Sequence, residues 1–133
     1  DSEKDRASSF SSFHEKRVYS IDFIGEKVAS IDGKELKLHD GDRSEVVALP
    51  NRATALNVYE DMVAFGFDEG IVAIFDHSFQ QNASKELHQK YVTTVKFSAD
   101  GSMLASACNN GSIAELQILR FFCQPNQLNQ LNL

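Results

Sequence analysis

The chain has no tryptophan, only two cysteines and two prolines, and fewer basic than acidic residues. Cys108 and Cys123 lack the spacing of a disulfide or metal framework, and we expect Cys108, inside an apolar run, to be a buried reduced thiol. No apolar run approaches the roughly 18 residues that a membrane helix needs, so no membrane partner is expected. A formal net charge of -6 disfavours nucleic acid, whose binding depends mainly on cationic contacts to phosphates.

Motifs of enzymatic chemistry are missing as well. There is no Gly-x-Ser-x-Gly elbow, phosphate loop or zinc motif, and His39 and His77 show no metal-ligand spacing. Asp68 and Glu69 are adjacent in a predicted turn, where we expect them to point into solvent rather than to form an acid/base pair. We therefore predict a protein without enzymatic activity, cofactor or metal. A propeller hydrolase with a central carboxylate or metal cluster is the alternative from another class.

What the chain does contain is a pattern that recurs three times. In the copies that start at His14 and His88, the His stands four residues before a Val, which stands five residues before a Phe. These two copies are 74 residues apart, about two periods of 37. A middle copy, without the His, starts at Ala53. Periods of this length are typical of stacked or radially arranged repeat units.

Each copy predicts three short strands. In the first strand, apolar residues two apart, such as Ile21 and Phe23, place one face in a core, while Asp22 points the other way. Asn-Gly and Asp-Gly pairs predict tight type I′ hairpins between the second and third strands. A fourth, more variable strand is predicted at 45–49 and at 85–87. The predicted strands span 18–23, 27–31 and 36–40, then 53–58, 62–66 and 72–76, and finally 92–97, 103–107 and 113–117.

Four short antiparallel strands in a period of about 40 residues describe one blade of a β-propeller. A β-sandwich is the alternative, but the identical register of the three copies favours the propeller. We divide the chain into a polar lead-in or end of a preceding blade (1–13), three repeats (14–50, 51–87 and 88–119) and an irregular tail (120–133), expected to be a truncation or splice artefact. Because propellers have about four to eight blades, we expect a piece of a longer protein.

The third copy resembles the WD-repeat family, from Val92 through the Ser98-Ala-Asp-Gly turn to Asn110-Gly111. The resemblance covers roughly residues 14–119 and implies an all-β propeller of WD-repeat type, here about three blades of a seven-bladed ring. In that family a His, a strand Ser or Thr, a hairpin Asp and a Trp form a hydrogen-bonded set inside each blade. The residues that match this set here are His14, Ser30, His88 and Ser106.

The match to that set is incomplete. Asn109 stands where the third copy should have the hairpin Asp, and His39, Phe75 and Leu116 stand at the Trp positions of the three copies. An apolar side chain fills the volume of a Trp but supplies no N–H donor. We therefore expect a weakened set, and we interpret the His residues at 14 and 88 as structural rather than as ligands or bases.

Two longer runs, 28–47 and 55–76, are similar to the second propeller of the actin-interacting protein 1 family, with its Trp-poor unit followed by a blade with the hairpin pattern Val-Ala-x-Gly-x-x-Asp/Glu. This resemblance implies protein binding, with actin and cofilin as candidate partners. It also implies a role in cofilin-dependent disassembly of actin filaments, in the cytoplasm and in association with the cytoskeleton. A generic WD-repeat scaffold subunit of another complex is the alternative.

Basic and aromatic side chains precede the first strand of each copy. In a propeller the loops before these strands open on one face, so these side chains would gather there. We predict a binding rim for an acidic protein partner such as actin, with a plain solvated loop as the alternative. The candidate rim residues are Lys16, Arg17, Asn51, Arg52, Lys90 and Tyr91.

Overall fold

The computed structural model describes residues 14, 16–41 and 43–122, which form three antiparallel sheets and one short helix. Each sheet follows chain order, so the three sheets are the three predicted blades, and the prediction of an incomplete all-β propeller is confirmed. Blade 1 contains β1 (Ser20–Ile24), β2 (Lys27–Ile31), β3 (Leu36–Asp40) and β4 (Arg43–Val47). Blade 2 contains β5 (Ala53–Tyr59), β6 (Met62–Phe67), β7 (Ile71–Phe75) and β8 (Gln81–Glu86). Blade 3 contains β9 (Val92–Phe97), β10 (Met103–Cys108) and β11 (Ile113–Gln117), and helix α1 (Ile118–Phe122) follows.

The outer strands and the end of the third repeat differ from the prediction. Strands β4 and β8 start before residues 45 and 85, because strand pairing continues to the hairpin turn. After Gln117 the chain forms α1, so residues 120–122, predicted as irregular, are helical. Ile118 and Phe121, three residues apart on one helix face, are buried in the core that blade 2 shares with blade 3. The predicted lead-in 1–13 and the remaining tail 123–133 lie outside the described residues.

The hairpins between the second and third strands are not of type I′. The N–H of Gly70 donates to the Phe67 carbonyl at 3.1 Å, and that of Gly111 donates to the Cys108 carbonyl at 3.0 Å. In both turns the glycine has a positive φ, 87° and 94°, whereas the two residues before it do not. Each is therefore a type I turn followed by a left-handed glycine. The type I′ prediction was wrong. An Asn-Gly pair is compatible with both turn types, and the additional residue in these hairpin loops selects the type I turn with a following left-handed glycine.

Two cores lie between consecutive blades, so blade 2 is covered on both faces. The core between blades 1 and 2 surrounds Phe65, whose ring meets that of Phe75 edge-to-face at a centroid distance of 5.2 Å. In the core between blades 2 and 3, a Cβ added at Gly66 would lie 2.6 Å from Val92 Cβ. Close approach of these two blades therefore requires glycine. Cys108 is buried as a free thiol, as expected.

Blade 1 exposes strand residues that were predicted to lie in a core. Ile21 and Phe23 are each 64% exposed, whereas Leu56 and Val95, the equivalents of Ile21, are buried. Leu56 packs in the core shared with the preceding blade, and so does Val95. No part of the chain that the structure describes packs against the corresponding face of blade 1. The alternation was therefore predicted correctly, but burial of this face depends on a neighbour rather than on the strand.

The innermost strands are joined by a side-chain relay. The backbone N–H of Val58 donates to Asp22 Oδ2 at 2.8 Å, and Asn57 Nδ2 donates to the same oxygen at 3.3 Å. Asn57 Oδ1 in turn accepts the backbone N–H of Phe97 at 2.8 Å. The polar residues that alternate with the core residues therefore bind the next blade. At the equivalent position of blade 3 stands Lys96, which has no acceptor atom in its side chain.

Substituting Asp22 with Ala should lower the free energy of unfolding by about 1–3 kcal/mol, because a half-buried Val58 N–H loses its acceptor. Asp22→Asn keeps one acceptor oxygen and should cost clearly less. Urea denaturation of the two variants beside the wild type measures this difference. Equal stabilities of the Ala and Asn variants would show that the relay does not hold the blades together.

Candidate functional site

The imidazole of His88 is held at both ring nitrogens inside blade 3. Its Nε2 lies 2.8 Å from Ser106 Oγ and its Nδ1 lies 2.7 Å from Ser112 Oγ. The structure thus brings together the predicted pair of His88 and Ser106. Ser112, which follows the hairpin glycine, takes the place expected for Asn109. Asn109 Oδ1 instead accepts the hydroxyl of Tyr91 at 2.9 Å.

Blade 1 contains a longer version of this set. His14 Nε2 lies 2.6 Å from Ser30 Oγ, and the same hydroxyl lies 2.7 Å from His39 Nε2. His14 Nδ1 lies 2.9 Å from Asp32 Oδ2. His39 therefore contributes a ring nitrogen at the position where the WD-repeat pattern has Trp. This role was missed because the sequence argument treated the residue only as a replacement for the Trp volume.

The carboxylate of Asp32 ties this set to the hairpin between β2 and β3. Its Oδ1 accepts the backbone N–H groups of Lys34 and Glu35, each at 2.9 Å. Burial raises the pKa of Asp32, but these bonds and the one from His14 outweigh burial and bring the pKa down to about 2. Both ring nitrogens of His14 and of His88 are thus engaged by side chains of their own blades.

The buried His88 predicts a pH-dependent stability. Burial lowers the pKa of His88 below its ordinary value of 6.5, so the unfolded chain binds more protons than the folded chain just below that pH. The contribution of His88 to stability should be full above pH 6.5 and should fall with decreasing pH, by at most about 1.4 kcal/mol per pH unit. Burial, with His14 and Lys37 nearby, also lowers the pKa of His39, which therefore adds to the slope in the same direction. Urea denaturation between pH 7.5 and 5.5 measures the slope.

His88→Gln should flatten this slope, and His77→Gln, at an exposed turn, is the matched control for loss of an imidazole. A slope that is the same in the His88 variant and in the wild type would contradict the assignment.

A pocket of about 290 Å³ lies at the end of the blades where the innermost strands begin. Backbone hydrogen bonds place its residues: Asp68 N donates to the Arg52 carbonyl at 2.9 Å, and Asn109 N donates to the Tyr91 carbonyl at 3.1 Å. In blades 2 and 3, the residue before the inner strand is thereby bound to the hairpin of the same blade. The pocket is lined by Arg17, Tyr19, Gly33, Arg52, Thr54, Asp68 and Tyr91.

Half of the predicted rim lies in this pocket. Arg17, Arg52 and Tyr91 come from three different blades and line it together. The other three predicted residues, Lys16, Asn51 and Lys90, are adjacent in sequence but are not among the lining residues. The predicted residues form three adjacent pairs, 16–17, 51–52 and 90–91. Only the second residue of each pair lines the pocket, and the sequence does not indicate which of the two would do so.

Four lining residues were missed by the sequence argument: Tyr19, Gly33, Thr54 and Asp68. The Arg17 guanidinium lies 4.8 Å from the centroid of the Tyr19 ring, a cation–π contact. Arg52 Nε lies 3.8 Å from Asp68 Oδ2, and the side chains of this pair are 67% and 39% exposed. Gly33 lies close to Tyr19 of its own blade and to Arg52 of blade 2. A Cβ at position 33 would lie 3.1 Å from Tyr19 Cε2 and 3.8 Å from Arg52 Nη2. Tyr19 could have been predicted from the sequence, because it stands two residues after Arg17 and directly before the first strand.

Within residues 14, 16–41 and 43–122, no group of three or more His, Cys, Asp or Glu side chains could hold a metal ion. No helix of the described part is both long and apolar enough to cross a membrane. Apart from Asp68, the charged and ring-bearing side chains of the pocket lining are cationic or aromatic, a set suited to binding an anionic group.

Solved structures with a similar fold include WD40 β-propellers. The β-propeller domain of Swd1 from Myceliophteria thermophila matches with a TM-score of 0.69 and 16% identity, over 78% of this chain and 40% of that one. The WD40 repeats of RRP9 match with a TM-score of 0.72 and 12% identity, over 83% and 38%. The computationally designed protein Ika8 matches with a TM-score of 0.65 and 23% identity, over 81% and 35%.

These likenesses confirm the predicted WD-repeat type of propeller fold. The chain spans about two fifths or less of the length of each of these structures. No protein-family model and no curated protein matches the sequence.

Proposed function

We propose that the chain is a non-enzymatic protein-binding part of a β-propeller, and that the pocket at the strand entrances is its binding site. The observation that carries this proposal is the convergence of Arg17, Arg52 and Tyr91 from three blades on one pocket. On a chain with a formal net charge of -6, such a local concentration of cations is not a consequence of composition. Blade packing holds the backbone of these residues in place before any partner arrives, which lowers the entropic cost of binding.

The partners that fit this proposal are actin filaments and cofilin. The sequence resemblance of residues 28–47 and 55–76 to a propeller of the actin-interacting protein 1 family supports actin, and the cationic pocket suits an acidic partner. The function is then cofilin-assisted disassembly of actin filaments, in the cytoplasm and at the cytoskeleton. The buried free thiol of Cys108 supports a reducing compartment.

A scaffold subunit of another protein complex is the second candidate. It is supported by the exposed apolar face of blade 1, where Ile21 and Phe23 are each 64% exposed, because large exposed apolar patches mark interaction surfaces. The two candidates differ in whether filaments bind at the pocket.

Co-sedimentation of the chain with actin filaments, with and without cofilin, tests this proposal. The wild type should pellet with filaments, more strongly when cofilin is present. The double charge reversal Arg17→Glu with Arg52→Glu should weaken binding at least about tenfold, since hydrogen bonds to charged groups contribute about 1.5–3 kcal/mol each. Arg43→Glu with Lys85→Glu is the matched control, because Arg43 on β4 and Lys85 on β8 are exposed cations that do not line the pocket.

Absence of the chain from the pellet under both conditions would overturn the actin proposal and leave the second candidate. Equal loss of binding in this control variant would show that overall charge, and not the pocket, carries the interaction.

A further inference from the structure

We infer that the pocket receives a single carboxylate side chain from an acidic segment of the protein partner, held between Arg17 and Arg52. This inference rests on the proposal that the pocket is a protein-binding site, and it specifies the chemical group that enters. It follows from the charges of the lining residues, from the hydrogen-bond donors of the two guanidinium groups and from the size of the pocket.

The charge of the lining suits an anion with one negative charge. Arg17 and Arg52 contribute two positive charges, and Asp68 contributes one negative charge. A carboxylate would balance the remaining single positive charge, whereas a phosphate monoester carries close to two negative charges at neutral pH. The net charge of -6 on the chain as a whole also repels long polyanions, so a nucleic acid backbone is disfavoured.

Both guanidinium groups keep donors for a ligand. The Arg17 guanidinium carbon lies 4.8 Å from the centroid of the Tyr19 ring, a cation–π contact, and a guanidinium has five N–H donors with which to bind an anion. Arg52 approaches Asp68 only through Nε, and 3.8 Å is too long for a hydrogen bond. An exposed pair of this kind is weak and screened, so an entering carboxylate can compete with Asp68 for Arg52.

The walls limit what can enter. A side chain at position 33 would crowd the Tyr19 ring, so Gly33 keeps this part of the space open. Tyr91 is held at the opposite blade by its hydroxyl bond to Asn109 at 2.9 Å. The volume of about 290 Å³ lies at the lower end of the range of about 300–1,000 Å³ for ligand pockets, so the pocket has room for one acidic side chain.

The hydroxyl of Thr54, which also lines the pocket, donates to the Val92 carbonyl at 2.6 Å. It is therefore occupied within the fold, and recognition is left to the two arginines with Tyr19 and Tyr91 as walls. Asp68 competes with the ligand for Arg52, which makes this residue a modulator of affinity.

The test is an NMR titration of the 133-residue chain with the peptide acetyl-Ala-Glu-Leu-Ala-amide, beside the same peptide with Gln in place of Glu and beside inorganic phosphate. The Glu peptide should shift the backbone amide signals of Gly33 and Arg52 saturably, with an affinity that falls as salt is added. The Gln peptide should bind at least about tenfold more weakly, because a charged hydrogen bond contributes roughly twice what a neutral one does. Phosphate should also bind more weakly than the Glu peptide, because its charge of close to two exceeds the single net positive charge of the lining and is repelled by Asp68.

Variants assign the effect to the pocket. Arg17→Gln and Arg52→Gln should each weaken binding of the Glu peptide about tenfold, and the exposed Arg43→Gln should leave it unchanged. Asp68→Asn removes the competing carboxylate and should strengthen binding severalfold, a gain that a purely structural role of Asp68 would not produce. All substituted side chains are at least partly exposed, so thermal unfolding should match the wild type in every variant.

Equal binding of the Glu and Gln peptides, or tighter binding of phosphate, would overturn the inference. If the wild type ignores the Glu peptide but filament binding is lost in the Arg17→Glu, Arg52→Glu variant, the proposed function stands and the carboxylate inference fails. If the Glu peptide binds as described but filaments do not pellet, the actin partner is wrong and the carboxylate site stands.

Discussion

Each blade holds the next through its innermost strand, and the rest of the structure depends on this contact. Asp22 accepts the N–H of Val58, and Asn57 accepts that of Phe97, so one line of hydrogen bonds crosses three inner strands. A sheet of short strands cannot bury both of its faces alone, because each strand has side chains on two sides. Blade 2 is buried on both faces only because the relay and the glycine at position 66 bring its neighbours close.

A second contact, between the backbones of blades 2 and 3, connects stability to the candidate site. The carbonyl of Gly70, in the hairpin of blade 2, accepts the backbone N–H groups of Leu87 and His88, where the chain enters blade 3. This places Asp68 in one blade near Tyr91 in the next. In blade 1, Asp32 holds the hairpin that contains Gly33. The hydrogen-bonded sets are thus structural, and their functional consequence is the arrangement of the pocket lining.

Much of the fold could be predicted from repetition. The strand ranges agreed within a few residues, because alternation and turn residues are local signals that three copies reinforce. The hairpin type, the second partner of His88 and the role of His39 could not be predicted in this way. A type I turn with a following glycine moves Ser112, rather than Asn109, beside the imidazole, and that geometry depends on loop length and not on residue type.

The sequence by itself determined the number of blades, the order of their strands and the presence of cations before the inner strands, because these follow from periodicity and composition. Only the tertiary structure decided which members of the rim meet. Arg17 and Arg52 enter the pocket, whereas Lys16 and Asn51 do not line it, since the direction of a loop side chain is set by contacts between blades. It also decided that Ile21 is exposed while the equivalent Leu56 is buried, because burial belongs to a pair of packed faces and not to a single strand.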